Sequence, residues 1–437
     1  MNVRKLALSF LNEYENQGKY VNLSLSSHSA DSLTAEERGF LTALLYTAVE
    51  NKLTYDYYIA SLSGRSIEKI DTHTKNILRL GICQILKMEK IPAFAAVNES
   101  VKLARNKGER SFVNGVLRAV EREKNSLPLP DRKKNLARHL SVLYSFPTWI
   151  VKHFIKEIGE TETEKLLGYI SKIPPTDLTV NTVKTSRQDF ADSLSREGID
   201  VSLSEYSPIS LRIDGSVDPR KLPGYSEGKF FVQDASCAAA VNALGIENGE
   251  FIIDVCACPG GKSFAAAILG KDEVRVNSFD IHESKLSLIE DGAERLGLSS
   301  VNFAVRDATC PDESMFGKAD KVICDVPCSG LGVLSKKPDL RYRDGEGIKE
   351  LPDLQYSILN ASKNYLKYGG RMIYSTCTLN SEENCAVVDR FLSENLDFHT
   401  VDFTVGDLKS ENGRFTFIPH VHKTDGFFVC LLEKDSI

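Results

Sequence analysis

Hydrophobic positions change their spacing twice along this chain, and each change marks a different class of element. Up to about residue 140 they recur at helical intervals: Phe40, Leu41, Leu44, Leu45 and Ala48; Ile77, Leu78, Ile82, Ile85 and Leu86; Val113, Val116, Leu117 and Val120. Thr34-Ala35-Glu36-Glu37 supplies a capping box ahead of the first stripe, and Pro92 stands where a new helix can begin. Such stripes face a core, so residues 1–140 are predicted to form an all-α domain. Leu127-Pro128-Leu129-Pro130 punctuates its end. A helical segment opening at Tyr144–Trp149 and a small α/β stretch after Pro174-Pro175 fill residues 141–230, with strands over 178–183, 199–203 and 209–213 and a helix over 187–197.

From residue 251 the rhythm alternates. Strands are predicted at 251–255, 274–279, 301–305, 321–324, 371–374 and 427–432, and helices at 263–269, 284–296, 354–366 and 382–392. That order predicts a mostly parallel sheet covered by helices on both faces, within a domain of residues 231–437. Ligands of such sheets bind beyond the carboxyl ends of the strands.

The length of 437 residues agrees with about three domains. No apolar run reaches the roughly 18 residues of a membrane span, and the N-terminus meets Glu13 before a signal-like core develops, so a cytosolic protein is expected. The ten cysteines are then expected to be reduced. Cys256 and Cys258 have no second pair at zinc spacing, so no metal is expected. Nothing in the chain indicates an obligate interface, which predicts a monomer. A net charge of -6 argues against a nucleic-acid partner until its distribution is considered. Residues 102–138 hold eleven bases against four acids, a local +7, read either as a solvated helix surface or as an RNA-facing one.

Asp254-Val255-Cys256-Ala257-Cys258-Pro259-Gly260-Gly261-Lys262-Ser263 follows the first strand of the alternating region and opens a helix. Its glycines allow the backbone to approach a ligand closely. Asp280 ends the second strand, where an acid can accept from ribose hydroxyls, and Asp307 follows the third, where it can accept from an adenine amino group; helix capping would account for either. Gly261-Lys262-Ser263 ends like a phosphate-binding loop, but Cys256 occupies the position of that motif's first glycine, which disfavours a P-loop ATPase. Asp325-Val326-Pro327-Cys328 follows the fourth strand and Ser375-Thr376-Cys377 the fifth. Buried packing is the common fate of a cysteine. One reaction class uses two: a thiolate adding to C6 of a pyrimidine makes C5 nucleophilic, hydrogen bonding at N3 assists, and a second thiol aids release. Asp325 is placed by sequence for the N3 role.

These residues carry a resemblance. Phe231-Val232-Gln233-Asp234-Ala235-Ser236, the Cys256–Lys262 loop, Asp325–Gly330, Lys337-Pro338-Asp339-Leu340, Tyr374–Thr378, Glu383-Asn384 and Asp425-Gly426-Phe427-Phe428 are similar to the Sun (RsmB) family of bacterial 16S rRNA cytosine-C5 methyltransferases. Phe112–Arg118 is similar to the helical NusB-type RNA-binding domain of that group. The resemblance implies a Rossmann-like S-adenosylmethionine methyltransferase domain, preceded by an all-α NusB-like domain and a small α/β linker domain. It implies 16S rRNA as partner and S-adenosyl-L-methionine as methyl donor. It implies that Cys377 attacks C6 and Cys328 assists release, and that Cys256, Ala257, Cys258, Pro259, Gly260, Gly261, Lys262, Asp280, Asp307 and Asp325 contact the cofactor. Asp325 is also expected to face the base, with Lys262 near the reacting ring. The chain departs from the family at Cys258, where alanine is usual, at Arg306, where glycine is usual, and at Thr179, where arginine is common. The rival from another class is an antitermination-like RNA-binding protein with a vestigial catalytic half, against which intact Cys328, Cys377 and Asp325 argue.

Overall fold

The computed structural model describes residues 2–17, 25, 33–343 and 345–436. They form two compact units, Met1–Gly168 with Lys337–Arg343, and Tyr169–Lys336 with Asp344–Ile437.

The first unit is helical: α1 (Val3–Gln17), α2 (Ala35–Glu50), α3 (Lys52–Ser63), α4 (Thr72–Lys87), α5 (Ala93–Lys102), α6 (Lys107–Glu123), α7 (Leu136–Tyr144) and the start of α8 (Thr148–Ile170), which is broken at Gly159. The Thr34 capping box is formed in full, and Pro92 is the N-cap of α5. All three sequence stripes lie in one apolar core with Leu8, Phe10 and Tyr55. The short Lys337–Arg343 segment belongs to this core region: Arg341 is 2% exposed with its guanidinium 4.3 Å from the Phe146 ring, and Tyr342 Oη donates to Val49 O at 2.8 Å.

The second unit opens with a four-stranded antiparallel sheet, β1 (Thr176–Val180), β2 (Ser202–Leu203), β3 (Ser210–Ile213) and β4 (Phe230–Val232), in order β2-β3-β1-β4, with α9 (Arg187–Arg196) between β1 and β2 in sequence. β1 stops at Val180 rather than 183 because Asn181 turns the chain, its Nδ2 donating to Gly228 O and Leu296 O. After α10 (Ala235–Ala243) come β5 (Phe251–Asp254), α11 (Gly261–Leu269), β6 (Arg275–Asp280), α12 (Glu283–Leu296), β7 (Val301–Val305), β8 (Ala319–Asp325), α13 (Leu351–Ser362), β9 (Leu366–Thr376), α14 (Cys385–Glu394), β10 (Phe398–Thr400), the ribbon β11 (Thr404–Val405) and β12 (Leu408–Lys409), β13 (Arg414–Phe417), α15 (Pro419–His422) and β14 (Phe427–Lys434).

The large sheet runs β10-β14-β9-β8-β5-β6-β7, with β13 also on β14. β5 through β9 pair in parallel, while β14 runs antiparallel to β9 and carries β10 and β13 at that edge. The expected mostly parallel sheet is present; the short edge strands β10 and β13 were not anticipated. The helix expected over 354–366 ends at Ser362, because Leu366 already pairs with Ala319 at the start of β9. The central strands are buried on both sides, as Ile252, Ile253, Val322, Ile323, Met372 and Ile373 show, which fixes the sheet rigidly under whatever its edge presents.

Candidate active site

Each polar motif of the catalytic half leaves the carboxyl end of a parallel strand. Asp254 closes β5, Asp280 closes β6, Asp325 closes β8, and Cys377 follows Thr376 at the end of β9. Parallel strands deliver these residues to one sheet edge. β5 has β6 on one side and β8 on the other, so the winding direction reverses there and opens a crevice.

Asp325 and Ser375 are register partners across β8 and β9, so the loops that follow them run side by side. Cys328 Sγ and Cys377 Sγ lie 2.9 Å apart, and the Cys377 backbone N–H donates to Cys328 Sγ at 3.2 Å. Buried Glu383 staples the two loops: Oε2 accepts from the Ser329 backbone N–H and from Gln355 Nε2, at 2.8 and 2.9 Å, and Oε1 accepts from Asn380 Nδ2 at 3.0 Å. A glycine is required here as well. A Cβ on Gly332 would come 1.8 Å from Gly426 O, whereas the bare backbone lets Gly332 N–H donate to Cys377 O and Gly426 N–H to Gly332 O. The hydrogen bond with Cys377, followed by burial, pushes the Cys328 thiol well above the usual range. Cys328 therefore holds its proton, and can share it with a thiolate on Cys377.

Lys262 connects the glycine turn to this pair of loops. Its Nζ donates to Asp325 Oδ2 at 2.5 Å, while Asp325 Oδ1 accepts from Ser375 Oγ at 2.7 Å. Burial works against the ammonium, but the Asp325 charge outweighs it and raises Lys262 above its ordinary value.

In the turn itself Gly260 has φ 107°, and a Cβ there would approach the Phe264 ring to 2.4 Å. Ala257 N–H donates to Phe279 O at 2.7 Å, and Cys258 N–H to Asp280 Oδ2 at 3.3 Å, which ties the turn to the end of β6. Asp280 Oδ1 also accepts from His282 N–H, so this carboxylate caps its own loop while each oxygen keeps a second lone pair. Beneath the turn Asp254 Oδ2 accepts from Ser263 Oγ at 2.7 Å, and Asp254 Oδ1 is buried without a partner. A glycine-bearing turn at a helix N-terminus, with a carboxylate at the end of the next strand, suits a nucleoside-bearing ligand. Asp307 stands apart: it is exposed, and its hydrogen bonds go to Thr309, whose N–H and Oγ donate at 2.8 and 2.7 Å.

The three departures are accommodated. Cys258 Sγ donates to Lys285 O, and burial with the nearby Asp280 charge pushes its thiol to about 12. Arg306 pairs with Asp312 at 2.6 Å and lies 5.1 Å from the Phe279 ring. Thr179 is buried in β1 and donates to Gln233 Oε1 at 3.0 Å.

Sequence reasoning gave no role to Glu383 or Lys336. Lys336 Nζ bridges Asp234 Oδ2 and Asp425 Oδ2 at 2.7 and 2.9 Å, contacts that span a hundred residues of chain. Burial and the neighbouring Asp234 charge push Asp425 to about 7, while for Asp234 the pull of Lys336 outweighs burial and lowers it. Burial likewise pushes Asp254 to about 7. Carboxyls raised in the folded state favour folding most below pH ~4, and that contribution is lost as pH rises through about 7. Asp254→Asn keeps an acceptor for Ser263 and removes one such term. The fall in unfolding free energy between pH 5 and pH 8, read from denaturant titrations, should therefore be smaller in the variant by an amount on the order of 1–3 kcal/mol. Parallel wild-type and variant curves would assign the buried carboxyl no linkage.

Among the described residues no group of three or more His, Cys, Asp or Glu could hold a metal ion, and no helix is long and apolar enough to cross a membrane.

Comparison with known proteins places each part of the chain. The profile of 16S rRNA methyltransferase RsmB/F matches residues 241–433, the NusB family profile matches 1–122, and the ferredoxin-like domain of RsmF/B-like methyltransferases matches 146–219. The probable ribosomal RNA small subunit methyltransferase B of Bacillus subtilis (strain 168) is 34% identical, over 99% of this chain and 98% of its own. Its counterpart from Synechocystis sp. (strain ATCC 27184 / PCC 6803 / Kazusa) is 35% identical, over 99% of this chain and 100% of its own. The crystal structure of PH0851 superposes with a TM-score of 0.81 at 25% identity, covering 99% of both chains.

Proposed function

The chain belongs to the 16S rRNA methyltransferase RsmB/F family, and on that premise we propose that it methylates C5 of a cytosine in 16S rRNA through a covalent bond between Cys377 and C6. Its fold is that of the family: an all-helical NusB domain, a ferredoxin-like domain and a Rossmann-like methyltransferase domain. The observation that carries the reading is the pair of thiols 2.9 Å apart at the carboxyl ends of adjacent strands.

The target base leaves its stack to reach the crevice. Cys377 adds as the thiolate to C6, and the electron pair of the C5–C6 double bond becomes available at C5. A proton held between N3 and Asp325 stabilises the charge that reaches the ring nitrogen, and Lys262 with Ser375 fixes the carboxylate in place. S-adenosyl-L-methionine supplies an electrophilic methyl group for C5; Cys256–Lys262, Asp280, Asp307 and Asp325 are the residues assigned to hold it. The C5 proton then leaves to a base in the site, the C5–C6 double bond re-forms and the Cys377–C6 bond breaks. Cys328, which holds its proton, shares it with the departing sulfur. One proton is released for each methyl transferred.

In this reading residues 1–140 engage RNA, 141–230 connect and 231–437 carry the chemistry. The test is incubation with labelled S-adenosyl-L-methionine and unmodified small-subunit rRNA, followed by mapping of the product. Label in 5-methylcytosine at one position is expected; no transfer, or label on any other atom, sinks the proposal.

The basic 102–138 stretch is the phosphate-binding surface of the helical unit. Several of its cations are already engaged, Arg132 with Glu164, Arg118 with Glu121 and Arg105 with Glu109, whereas Lys133 and Lys134 are exposed and carry no ion pair among the described residues. Replacing Arg132, Lys133 and Lys134 by Ala should weaken rRNA binding and flatten its salt dependence by about one unit of slope per lost phosphate contact, with the two lysines accounting for most of it. An unchanged slope would return the stretch to the role of a solvated surface.

A further inference from the structure

A cavity of about 300 Å³ lies in the second unit, outside the thiol and cofactor sites. Tyr169, Ile173, Pro174 and Pro175 give it an apolar wall, and Lys172, Arg212 and Lys423 give it three cations against one acid, Asp214. Arg212 spends Nε and Nη2 on Asp177, at 2.7 and 2.9 Å, which leaves Nη1 for a ligand. Ile173 is 75% exposed beside Pro174 and Pro175, so this apolar wall is open to an incoming ligand. Lys423 is the left-handed C-cap of α15, φ 56°, and its side chain lines the cavity. An apolar wall beside a cationic rim matches the two halves of a nucleotide, base and phosphate.

The cavity is tied to the reacting thiol. Gly332, whose N–H donates to Cys377 O, lies three residues before Ser335 in the cavity wall, and Gly426, whose N–H donates to Gly332 O, lies three residues after Lys423. Lys336, next to Ser335, is pinned by Asp234 and Asp425. The backbone hydrogen bonds of Gly332 and Gly426 thus connect the segments that carry Ser335 and Lys423 to the Cys377 peptide.

From this geometry we propose that the cavity holds a nucleotide of the RNA strand flanking the methylated cytosine, with its base against Ile173 and Tyr169 and its phosphate on Lys172 and Lys423. It thereby selects the sequence context of the target; the inference rests on the RNA-methylating reading above. Enzymes that extrude a base take much of their selectivity from such flanking contacts.

Two measurements test it. In the first, RNA substrates with an abasic residue at each position beside the target are methylated by the wild type and by the Lys172→Ala/Lys423→Ala variant. One abasic position should lower wild-type kcat/KM about tenfold, and the variant should show KM raised about tenfold on intact RNA, kcat kept, and indifference to that abasic position. A wild type indifferent to every abasic position, or a variant with unchanged KM, overturns the proposal. In the second, p-benzoylphenylalanine replaces Ile173 and is photo-crosslinked to rRNA without methyl donor. A crosslink within a few nucleotides of the target is expected, and a distant crosslink or none overturns the proposal. A crosslink of the Ile173 variant to one discrete rRNA segment, together with a wild type that transfers no methyl, would instead overturn the methylation reading and leave the pocket standing.

Discussion

Cys377→Ala is expected to abolish methyl transfer, by a factor on the order of 10⁴ or more, whereas Cys328→Ala is expected to accumulate a protein–RNA adduct that survives denaturation. The two thiols touch, so position alone does not distinguish them. Their surroundings do. The contact with Cys377, then burial, push the Cys328 thiol up, and they outweigh the Cys377 backbone N–H, which as a donor to Cys328 Sγ favours the thiolate. A group held as the thiol is a poor nucleophile and a good proton partner. Removing it leaves the attack on C6 intact and takes away the hydrogen bond that eases departure of Cys377 sulfur, so the covalent species builds up. The adduct is read as a slow band on a denaturing gel that nuclease collapses. If Cys377→Ala gives the band and Cys328→Ala does not, the roles are reversed.

Asp325→Asn is expected to lower kcat by about 10²–10⁴. Two explanations compete, because Asp325 both faces the proposed base position and neutralises Lys262. Taking the charge from Asp325 strands a buried ammonium, a change that by itself costs about 3–5 kcal/mol in other proteins. The double variant Asp325→Asn/Lys262→Met removes that burden. If Asp325 acts only by holding Lys262, the double variant should recover stability and activity together. If it acts at N3, stability returns and kcat stays below that of Lys262→Met alone, and the non-additivity of the cycle reports the pair. Recovery to the activity of Lys262→Met alone would remove Asp325 from the chemistry.

How much of this was legible in the sequence depends on distance along the chain. The helical stripes, the Thr34 capping box and the alternation after residue 251 are local patterns, and they formed as the spacing required. The proximity of Cys328 and Cys377 was also within reach, since each follows a strand that the alternation placed in one parallel sheet. Their contact was not, because it depends on β8 and β9 being neighbours in a register that pairs Asp325 with Ser375. The function of Glu383 was hidden for the same reason: the sequence marks the residue, but only the fold shows it accepting from Ser329 and Gln355. The Lys336 bridge joins Asp234 and Asp425 across 102 and 89 positions, where no periodicity operates. The edge strands β10 and β13 were missed because three or four residues pairing on β14 carry too little pattern to read.

The seven residues Lys337–Arg343 have a consequence for how the gene can be divided. They lie far down the polypeptide, yet their packing partners are Val49, Glu50 and Phe146. A truncation that begins at residue 169 would carry Arg341 and Tyr342 into water and leave their berth in the other fragment empty. Each fragment is therefore expected to be less stable than the same residues in the intact chain, which denaturation of the two pieces and of the whole would measure.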